Sequence, residues 1–313
     1  MQKLIILLSD MIFPLLLGYL LQQKGWLSER ICKQLILCNI LILGTLLSIL
    51  SCWTLPLRWE LAWLPAFGIL LSFIPGAAAC FLVRAKYQSL LDQGSYLLSA
   101  ILSNIGTLGG LGAFVLFGES GLAYKQKKKK FQNLVLFLIC FPLAQYCQQQ
   151  SSPEKFSTLP FRLLPLLLTR NQLPVLGLLG GMLLYGSGIP RPAVLGDIFT
   201  PLVHVSAWIA LIPVGYSLNF RSVQKYYLPS LDLLPIKFVL TPVLTYFIAR
   251  LFFQDPDIIG TLLLLASVPT GINAVVTARL YNLNLHIPGA AFILTTLVFL
   301  IVIYPAFFLF FSA

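Results

Sequence analysis

Uninterrupted apolar blocks of about twenty residues recur along the chain and constrain its fold more than any other feature. We predict ten such blocks, over residues 4–22, 31–50, 61–83, 95–118, 131–147, 173–188, 194–219, 228–252, 258–281 and 287–312. A helix needs about 20 apolar residues to cross the hydrocarbon core of a bilayer. Charged residues make up 10% of the chain and the mean hydropathy is +0.89, whereas a soluble domain has about 25% charged residues. The sequence therefore predicts an all-α integral membrane protein with ten transmembrane helices.

The ten blocks divide into two halves. Residues 1–147 hold the first five spans and include a lysine-rich loop at 125–130, residues 148–172 form a central linker, and residues 173–313 hold the other five spans. Because five is an odd number, the second half must enter the membrane from the opposite side. This arrangement predicts two inverted five-helix repeats, a common plan of secondary transporters.

Short matches between the two halves support a repeat. The segments "GYLLQQKGWLS" and "GMLLYGSGIPR" begin at Gly18 and Gly181, an offset of 163. The segments "SNIGTLGG" and "SVPTGINA" begin at Ser103 and Ser267, and "LFGES" and "LYNLN" begin at 116 and 280, both with an offset of 164. Separate regions therefore agree on the offset to within one residue.

Spans four and nine carry residues that break helices. Span four contains four glycines between Ser103 and Gly112, and each costs about 1 kcal/mol of helix propensity relative to alanine. In span nine, Pro269 removes a helical hydrogen bond and Gly271 follows it. Freed backbone groups are tolerated only against protein or water. We therefore expect both helices to be broken and to cross at mid-membrane.

Small and polar residues cluster at the two breaks and form a candidate substrate site. Two half-helix N-termini directed at this point would favour an anion such as a carboxylate. The alternative is that these residues only allow close helix packing and hydrogen bonding between helices. The candidate residues are Ser103, Asn104, Gly106, Thr107, Ser267, Pro269, Thr270, Gly271 and Asn273.

Four stretches of the chain resemble the auxin efflux carrier family of permeases, which shares a superfamily with the bile acid–sodium symporters. They are "FPLLLGYLLQQKGWLSE" at 13–29, "SNIGTLGGLGAFVLFGESGLAY" at 103–124, "IKFVLTPVL" at 236–244 and "LLLLASVPTGINAVVTARLYNLN" at 262–284. The resemblance implies ten spans in two inverted repeats, with spans four and nine crossing at the site. It also implies that spans three to five and eight to ten move against spans one, two, six and seven. Members of the family are taken to transport organic acids such as malate, malonate or indole-acetate.

The chain departs from the family pattern at two places. Ile105 stands where the family carries a proline in span four, so the glycines must supply that break. The run "KQKKKK" at 125–130 lies on the side that the family places outside. Links after odd-numbered spans hold eleven Lys and Arg residues, and the opposite side holds four plus the five lysines of this run. We follow the family and expect both termini outside.

A few polar residues within spans are further candidates. Lys237 in span eight lies between Pro235 and Pro242, and it would either attract the anion or extend its ammonium group to the interface. Asn39 in span two would contact substrate or a neighbouring helix. Asp10 would be a partner of Lys237, a proton site or an interfacial group. His204 would either titrate near neutral pH or have a structural role, and we expect the structural role. Glu119 and Arg279 are expected to be solvated helix caps.

The function that best fits these features is secondary transport of a small organic anion, malate-like or auxin-like, by alternating access. The alternative is a sodium-coupled symporter of the bile-acid type, although the spans hold no cluster of Asp or Glu. An intramembrane enzyme would need a paired-acid or nucleophile motif, and no such motif occurs. We expect no cofactor, metal or nucleic acid, and a plasma-membrane location (the inner membrane in a bacterium). Coupling to a proton or another ion, and a homodimeric state, are left open.

Overall fold

The computed structural model describes residues 2–54, 63–151, 173–216 and 223–312. Within these ranges the secondary structure is helical, and the strand-like pairing is an isolated antiparallel bridge between Ser103 and Thr270. The α-helices are α1 Gln2–Gln23, α2 Glu29–Cys38, α3 Gly44–Trp53, α4 Leu64–Lys86, α5 Leu90–Ile101, α6 Leu108–Val135, α7 Phe141–Ser151, α8 Leu173–Gly186, α9 Ala193–Tyr216, α10 Leu233–Pro235, α11 Thr241–Phe252, α12 Pro256–Ala266, α13 Ile272–Leu280, α14 His286–Val298 and α15 Tyr304–Ser312. The all-α prediction is confirmed for the described residues.

Five of the described helices are long and apolar enough to cross a membrane. They are Glu29–Trp53, Ala66–Lys86, Ala193–Tyr216, Leu228–Phe252 and His286–Phe311. These helices correspond to predicted spans two, three, seven, eight and ten. Shorter apolar helices at Ile12–Gln23, Leu108–Tyr124 and Pro256–Ala266 lie in predicted spans one, four and nine. Most of the predicted central linker, 152–172, lies outside the described residues.

The lysine-rich stretch at 125–130 lies in a helix, which corrects the prediction of a loop there. Helix α6 covers Leu108–Val135 and is interrupted at Gly118, whose φ of 63° and ψ of −151° are not helical. Glycine adopts a positive φ without the steric cost that a Cβ atom imposes. The chain turns at Gly118 and then continues as a helix, because lysine and glutamine are good helix formers. The boundary of predicted span four at 118 therefore marks a turn between two helical segments.

The chain forms two compact units, and each draws on both halves of the sequence. The first unit contains Met1–Ala62, Thr107–Lys127 and Leu164–Leu218, and the second contains the remaining residues. Neither unit coincides with the predicted repeats at 1–147 and 173–313. The first unit contains the residues of predicted spans one, two, six and seven, the set that the resemblance groups together. Segment Thr107–Lys127 is an exception, because the resemblance assigns all of span four to the other group.

In the first unit, glycines allow two pairs of helices to pack with their backbones in contact. Helix α1 packs along α9, and helix α8 packs along α3. A methyl group added at Gly18 would overlap the carbonyl oxygen of Ile212, and one at Gly181 would lie 2.5 Å from the carbonyl oxygen of Ile49. The two contacts are separated by the same offset, because 181 − 18 and 212 − 49 both equal 163. Small residues at such crossings favour helix association in membranes.

In the second unit, helix α5 packs against α4, α7 and α14. One cluster of buried side chains joins Ala79 and Val83 of α4 to Tyr96 and Ala100 of α5. Another cluster joins α5 to α7 and α13, with Leu98 as a fully buried member. Helix α5 is therefore held on several sides, and its C-terminal end at Ile101 has a defined position within this unit.

Unusual local conformations also recur at the sequence offset. Four described residues have a positive φ: Gly25 (67°), Gly118 (63°), Gly188 (71°) and Asn282 (52°). They form two pairs, because 188 − 25 is 163 and 282 − 118 is 164. Two π-helical turns, Leu136–Cys140 and Phe299–Ile303, are also 163 residues apart. Since π-helical turns and positive φ values are rare, these matches are more specific than matches between common residue types.

A polar cluster in the first unit joins the links that follow predicted spans two, four and six. Arg191 forms a bidentate ion pair with Glu119, with N–O distances of 2.7 and 3.0 Å, and also donates to the carbonyl of Leu50. The indole of Trp53 donates to the carbonyl of Ile189 at 2.7 Å. Glu119 is therefore an ion-pair partner rather than the solvated cap that we predicted. The reason is that Arg191 lies 72 residues away in sequence, beyond the reach of local patterns.

A second polar cluster, in the second unit, joins the links around predicted spans three, seven and nine. Lys86 Nζ lies 2.6 Å from Asp232 Oδ2, which also accepts from the Tyr96 hydroxyl at 2.6 Å. Burial, and next the Asp232 carboxylate, raise the pKa of neighbouring Tyr87. In the same unit the Asn284 amide donates to Asp92 Oδ1 at 2.7 Å. The links in the first cluster thus follow even-numbered predicted spans, and those in the second follow odd-numbered ones.

Candidate functional site

Both predicted breaks are present, and the two broken segments are hydrogen-bonded to each other. Helix α5 ends at Ile101 and α6 begins at Leu108, while α12 ends at Ala266 and α13 begins at Ile272. The backbone N–H of Asn104 donates to the carbonyl of Pro269 at 2.8 Å, and that of Gly271 donates to the carbonyl of Leu102 at 2.8 Å. The segments run antiparallel. We call 102–107 and 267–271 together the crossing.

The first break forms without a proline. Leu102 has the extended values φ −88° and ψ 115°, and Ile105 is fully buried. The Asn104 N–H and the Leu102 carbonyl of this segment find partners in the second segment rather than in their own helix. Buried backbone groups need such partners, so the pairing explains why the break is stable without a proline-induced kink. The glycine-rich, polar composition only lowers the cost of leaving the helix.

Gly271 allows the two segments to approach closely. A methyl group at this position would lie 3.0 Å from the carbonyl oxygen of Ser103. Asn104, Ser267 and Thr270 are buried at the crossing, with 6%, 1% and 0% of their surfaces exposed. The Ser267 hydroxyl donates to the carbonyl of Leu263 at 2.9 Å, within its own helix.

Thr270 ties the second segment to two neighbouring helices. Its backbone N–H donates to Thr295 Oγ1 at 3.0 Å, and its hydroxyl donates to the carbonyl of Ser99 at 3.0 Å. The Thr295 hydroxyl itself donates to the carbonyl of Ala291 at 2.6 Å. Sequence reasoning missed Thr295, because a single threonine in an apolar span carries no local signal.

Lys237 is brought to the crossing by a π-helical turn. The turn covers Ile236–Leu240, and Thr241 Oγ1 donates to the carbonyl of Ile236 at 2.7 Å. The lysine is 1% exposed, and its ammonium group donates to Ser103 Oγ at 2.9 Å. In the described ranges, no carboxylate lies within 4.0 Å of Lys237 Nζ. The predicted alternative, in which the side chain extends to the interface, is therefore wrong, because the ammonium group is buried beside Ser103.

The remaining predicted site residues are placed differently. Gly106 and Thr107 are half-buried in the first segment, whereas Asn273 is exposed at the beginning of α13. Asn39 belongs to the first unit, where its Oδ1 accepts from Ser206 Oγ at 2.6 Å. Asn39 thus makes the helix–helix hydrogen bond that was one of its two predicted roles. Arg279 is exposed, as predicted for a solvated cap.

Asp10 and His204 form a pair in the first unit. His204 Nδ1 lies 2.7 Å from Asp10 Oδ2, and the Trp208 indole N–H donates to Asp10 Oδ1 at 2.9 Å. Both oxygens of Asp10 thus have partners from α9. The prediction that Asp10 pairs with Lys237 is wrong, because its partners are His204 and Trp208.

Comparison of the sequence with protein-family models and with curated proteins found no match. The resemblance to the auxin efflux carrier family therefore rests on the four quoted stretches.

Proposed function

We propose that this protein is a secondary transporter that carries a small organic anion through the crossing by alternating access. The observation that carries the proposal is the buried ammonium group of Lys237 beside two broken, antiparallel segments. A buried charge is costly unless an opposite charge or hydrogen bonds compensate it. Ser103 supplies one hydrogen bond and no charge. A bound carboxylate would supply the missing negative charge.

The backbone at the crossing adds to the attraction for an anion. Helix α13 begins at Ile272, directly after the second segment, and α6 begins at Leu108, directly after the first. The first N–H groups of a helix have no helical acceptor, and the helix dipole places partial positive charge there. We propose that Ser103, Asn104, Gly106, Thr107, Ser267, Pro269, Thr270, Gly271 and Asn273 shape the substrate site around Lys237.

Ten spans in two inverted repeats form part of the same proposal. Positive-φ residues, π-helical turns and helix–helix contacts at matching offsets support a structural repeat. The corresponding segments of the crossing run antiparallel, as expected for repeats of opposite orientation. The first polar cluster joins links that follow even-numbered predicted spans, and the second joins links that follow odd-numbered ones. This is required if every span crosses the bilayer once. We further propose family membership, both termini outside, and residence in the plasma membrane or a bacterial inner membrane.

Transport can be tested with the purified chain in proteoliposomes. Uptake of radiolabelled malate and indole-acetate is measured for the wild type, Lys237→Met and Lys225→Met. Lys225 is exposed in a link, so its replacement controls for the loss of one positive charge. We expect saturable uptake in the wild type and the Lys225 variant, and at least tenfold lower kcat/KM in the Lys237 variant. A tenfold loss corresponds to about 1.4 kcal/mol, a modest value for a buried charge pair.

Two further arms separate the alternatives. Saturable uptake that requires a sodium gradient would favour the symporter of the bile-acid type. Uptake that stays linear with concentration would favour a passive channel. If both variants transported as the wild type does, the assignment of the site to Lys237 would be wrong. If the wild type took up none of the acids in a wider panel, the transport function itself would be wrong.

A further inference from the structure

His204, the partner of Asp10, lies at the middle of a helix that is long and apolar enough to span a membrane. His204 is preceded by 11 and followed by 12 residues of α9, which covers Ala193–Tyr216. At a rise of about 1.5 Å per residue, the ring is about 17 Å from either end of the helix. The hydrocarbon core is about 30 Å thick, so a spanning helix places His204 near its midplane. Ionisable groups at that depth are rare and usually functional.

The hydrogen bonds define where a proton can bind. An ionised carboxylate accepts hydrogen bonds but cannot donate them. Asp10 accepts from the Trp208 indole through one oxygen and faces His204 Nδ1 through the other, so the neutral ring carries its proton on Nδ1. The ring's Nε2 is then a proton acceptor, and among the described residues it has no hydrogen-bond donor. About a third of the His204 side chain is exposed, at 32%.

Other charged groups of the surrounding elements either pair elsewhere or lie exposed. Phe114 of α6 contributes an aromatic ring, 6.3 Å from the His204 ring between centroids. On α6, Glu119 pairs with Arg191, and on α2, Glu29 pairs with Lys33. Asp197 is exposed two turns earlier on α9, about 10 Å away along the helix axis. Asp10 is therefore the one carboxylate, among the described residues, in contact with the ring.

We propose that Asp10 and His204 form a proton-binding site and that its protonation drives the transport proposed above. With His204 neutral, the pair carries a charge of −1. A proton taken up at Nε2 gives an imidazolium ion beside the carboxylate, and the pair becomes neutral overall. At the midplane of a bilayer, the neutral pair costs less to hold than an isolated negative charge. The coupling to transport rests on the proposed function, whereas the proton site does not.

Nitrogen-15 NMR of histidine-labelled chain in lipid nanodiscs tests the proton site directly. The chain has two histidines, and His286→Gln leaves His204 as the single signal. We expect the neutral ring to be the Nδ1–H tautomer and to gain a proton on Nε2 as the pH is lowered across the range in which the chain stays folded. Neutral histidine in water is usually the Nε2–H tautomer, so a solvated ring would show that tautomer instead. An Nε2–H tautomer, or a ring that stays neutral throughout this range, would overturn the proposal.

Proteoliposomes with an imposed pH gradient test the coupling. With one proton per substrate, one pH unit can drive accumulation up to about tenfold, the equivalent of 1.4 kcal/mol. We expect this accumulation in the wild type and in His286→Gln. In His204→Gln and Asp10→Asn we expect the substrate concentration inside the vesicles only to equal that outside. Glutamine can still donate to Asp10 and asparagine can still accept from His204, so both variants can preserve the tie between α1 and α9.

The two proposals fail in different ways. If His204→Gln accumulated substrate as the wild type does, the coupling would be wrong while transport itself stood. If the wild type transported no acid, the transport function would be wrong, and the NMR titration would decide the proton site alone.

Discussion

Adjacent glycines in α8 provide a sharp test of the helix packing. A methyl group at Gly181 would lie 2.5 Å from the carbonyl oxygen of Ile49 and 2.9 Å from Cβ of Cys52. At Gly180 a methyl group would meet nothing within 4 Å. Alanine at these two positions therefore differs in packing, while the helix propensity gained is the same.

The magnitude follows from the geometry. Ordinary C···O contacts lie at about 3.3–3.6 Å, so Gly181→Ala must separate the α8 and α3 backbones by about 0.8 Å or more. Overpacking of this kind costs about 1–3 kcal/mol, against a gain of about 1 kcal/mol from helix propensity. Gly180→Ala should keep that gain. We expect the free energies of unfolding of the two variants to differ by about 1–3 kcal/mol.

The assay is unfolding of the purified chain by SDS in mixed micelles, followed by tryptophan fluorescence. Gly18→Ala is the matching variant of the first half, because Gly18 contacts Ile212 as Gly181 contacts Ile49. It should be destabilised in the same direction as Gly181→Ala. Equal stability of Gly180→Ala and Gly181→Ala would refute the close contact between α8 and α3.

Three further predictions address the crossing, the links and the topology. Thr295→Val removes the acceptor for the Thr270 N–H and should destabilise the chain by about 1–3 kcal/mol in the SDS assay. Thr296→Val removes a buried hydroxyl that has no hydrogen-bond partner among the described residues, so it should be nearly neutral. Glu119→Gln breaks the bidentate pair with Arg191 and should lower the free energy of unfolding by about 1–2 kcal/mol. The loss should be smaller at high salt to the extent that solvent screens the pair. No change in stability would mean that the pair contributes nothing. In a cysteine-free chain, single cysteines at the exposed positions Ser89 and Ser187 should react with an impermeant maleimide from opposite sides of sealed vesicles, and labelling of both from one side would contradict the ten-span topology.

Local features of the sequence were sufficient to predict the helical class and the two breaks. Apolar block length reports on the membrane, and glycine and proline report on helix interruptions, because both effects act within a few residues of the chain. The same locality explains the error at 125–130. A run of lysines resembles a loop between apolar blocks, but its helical propensity continues α6 once Gly118 has made the turn.

The tertiary structure decided which polar groups meet. Lys237 and Ser103 are 134 residues apart, Asp10 and His204 are 194 apart, and Glu119 and Arg191 are 72 apart. No local pattern specifies such partners, because they depend on which helices pack together and at what depth. The sequence by itself determined that two helices break and that polar residues gather at the breaks. Only the folded chain placed a buried ammonium group at the crossing, because a π-helical turn in one helix brings Lys237 to Ser103 in the first broken segment.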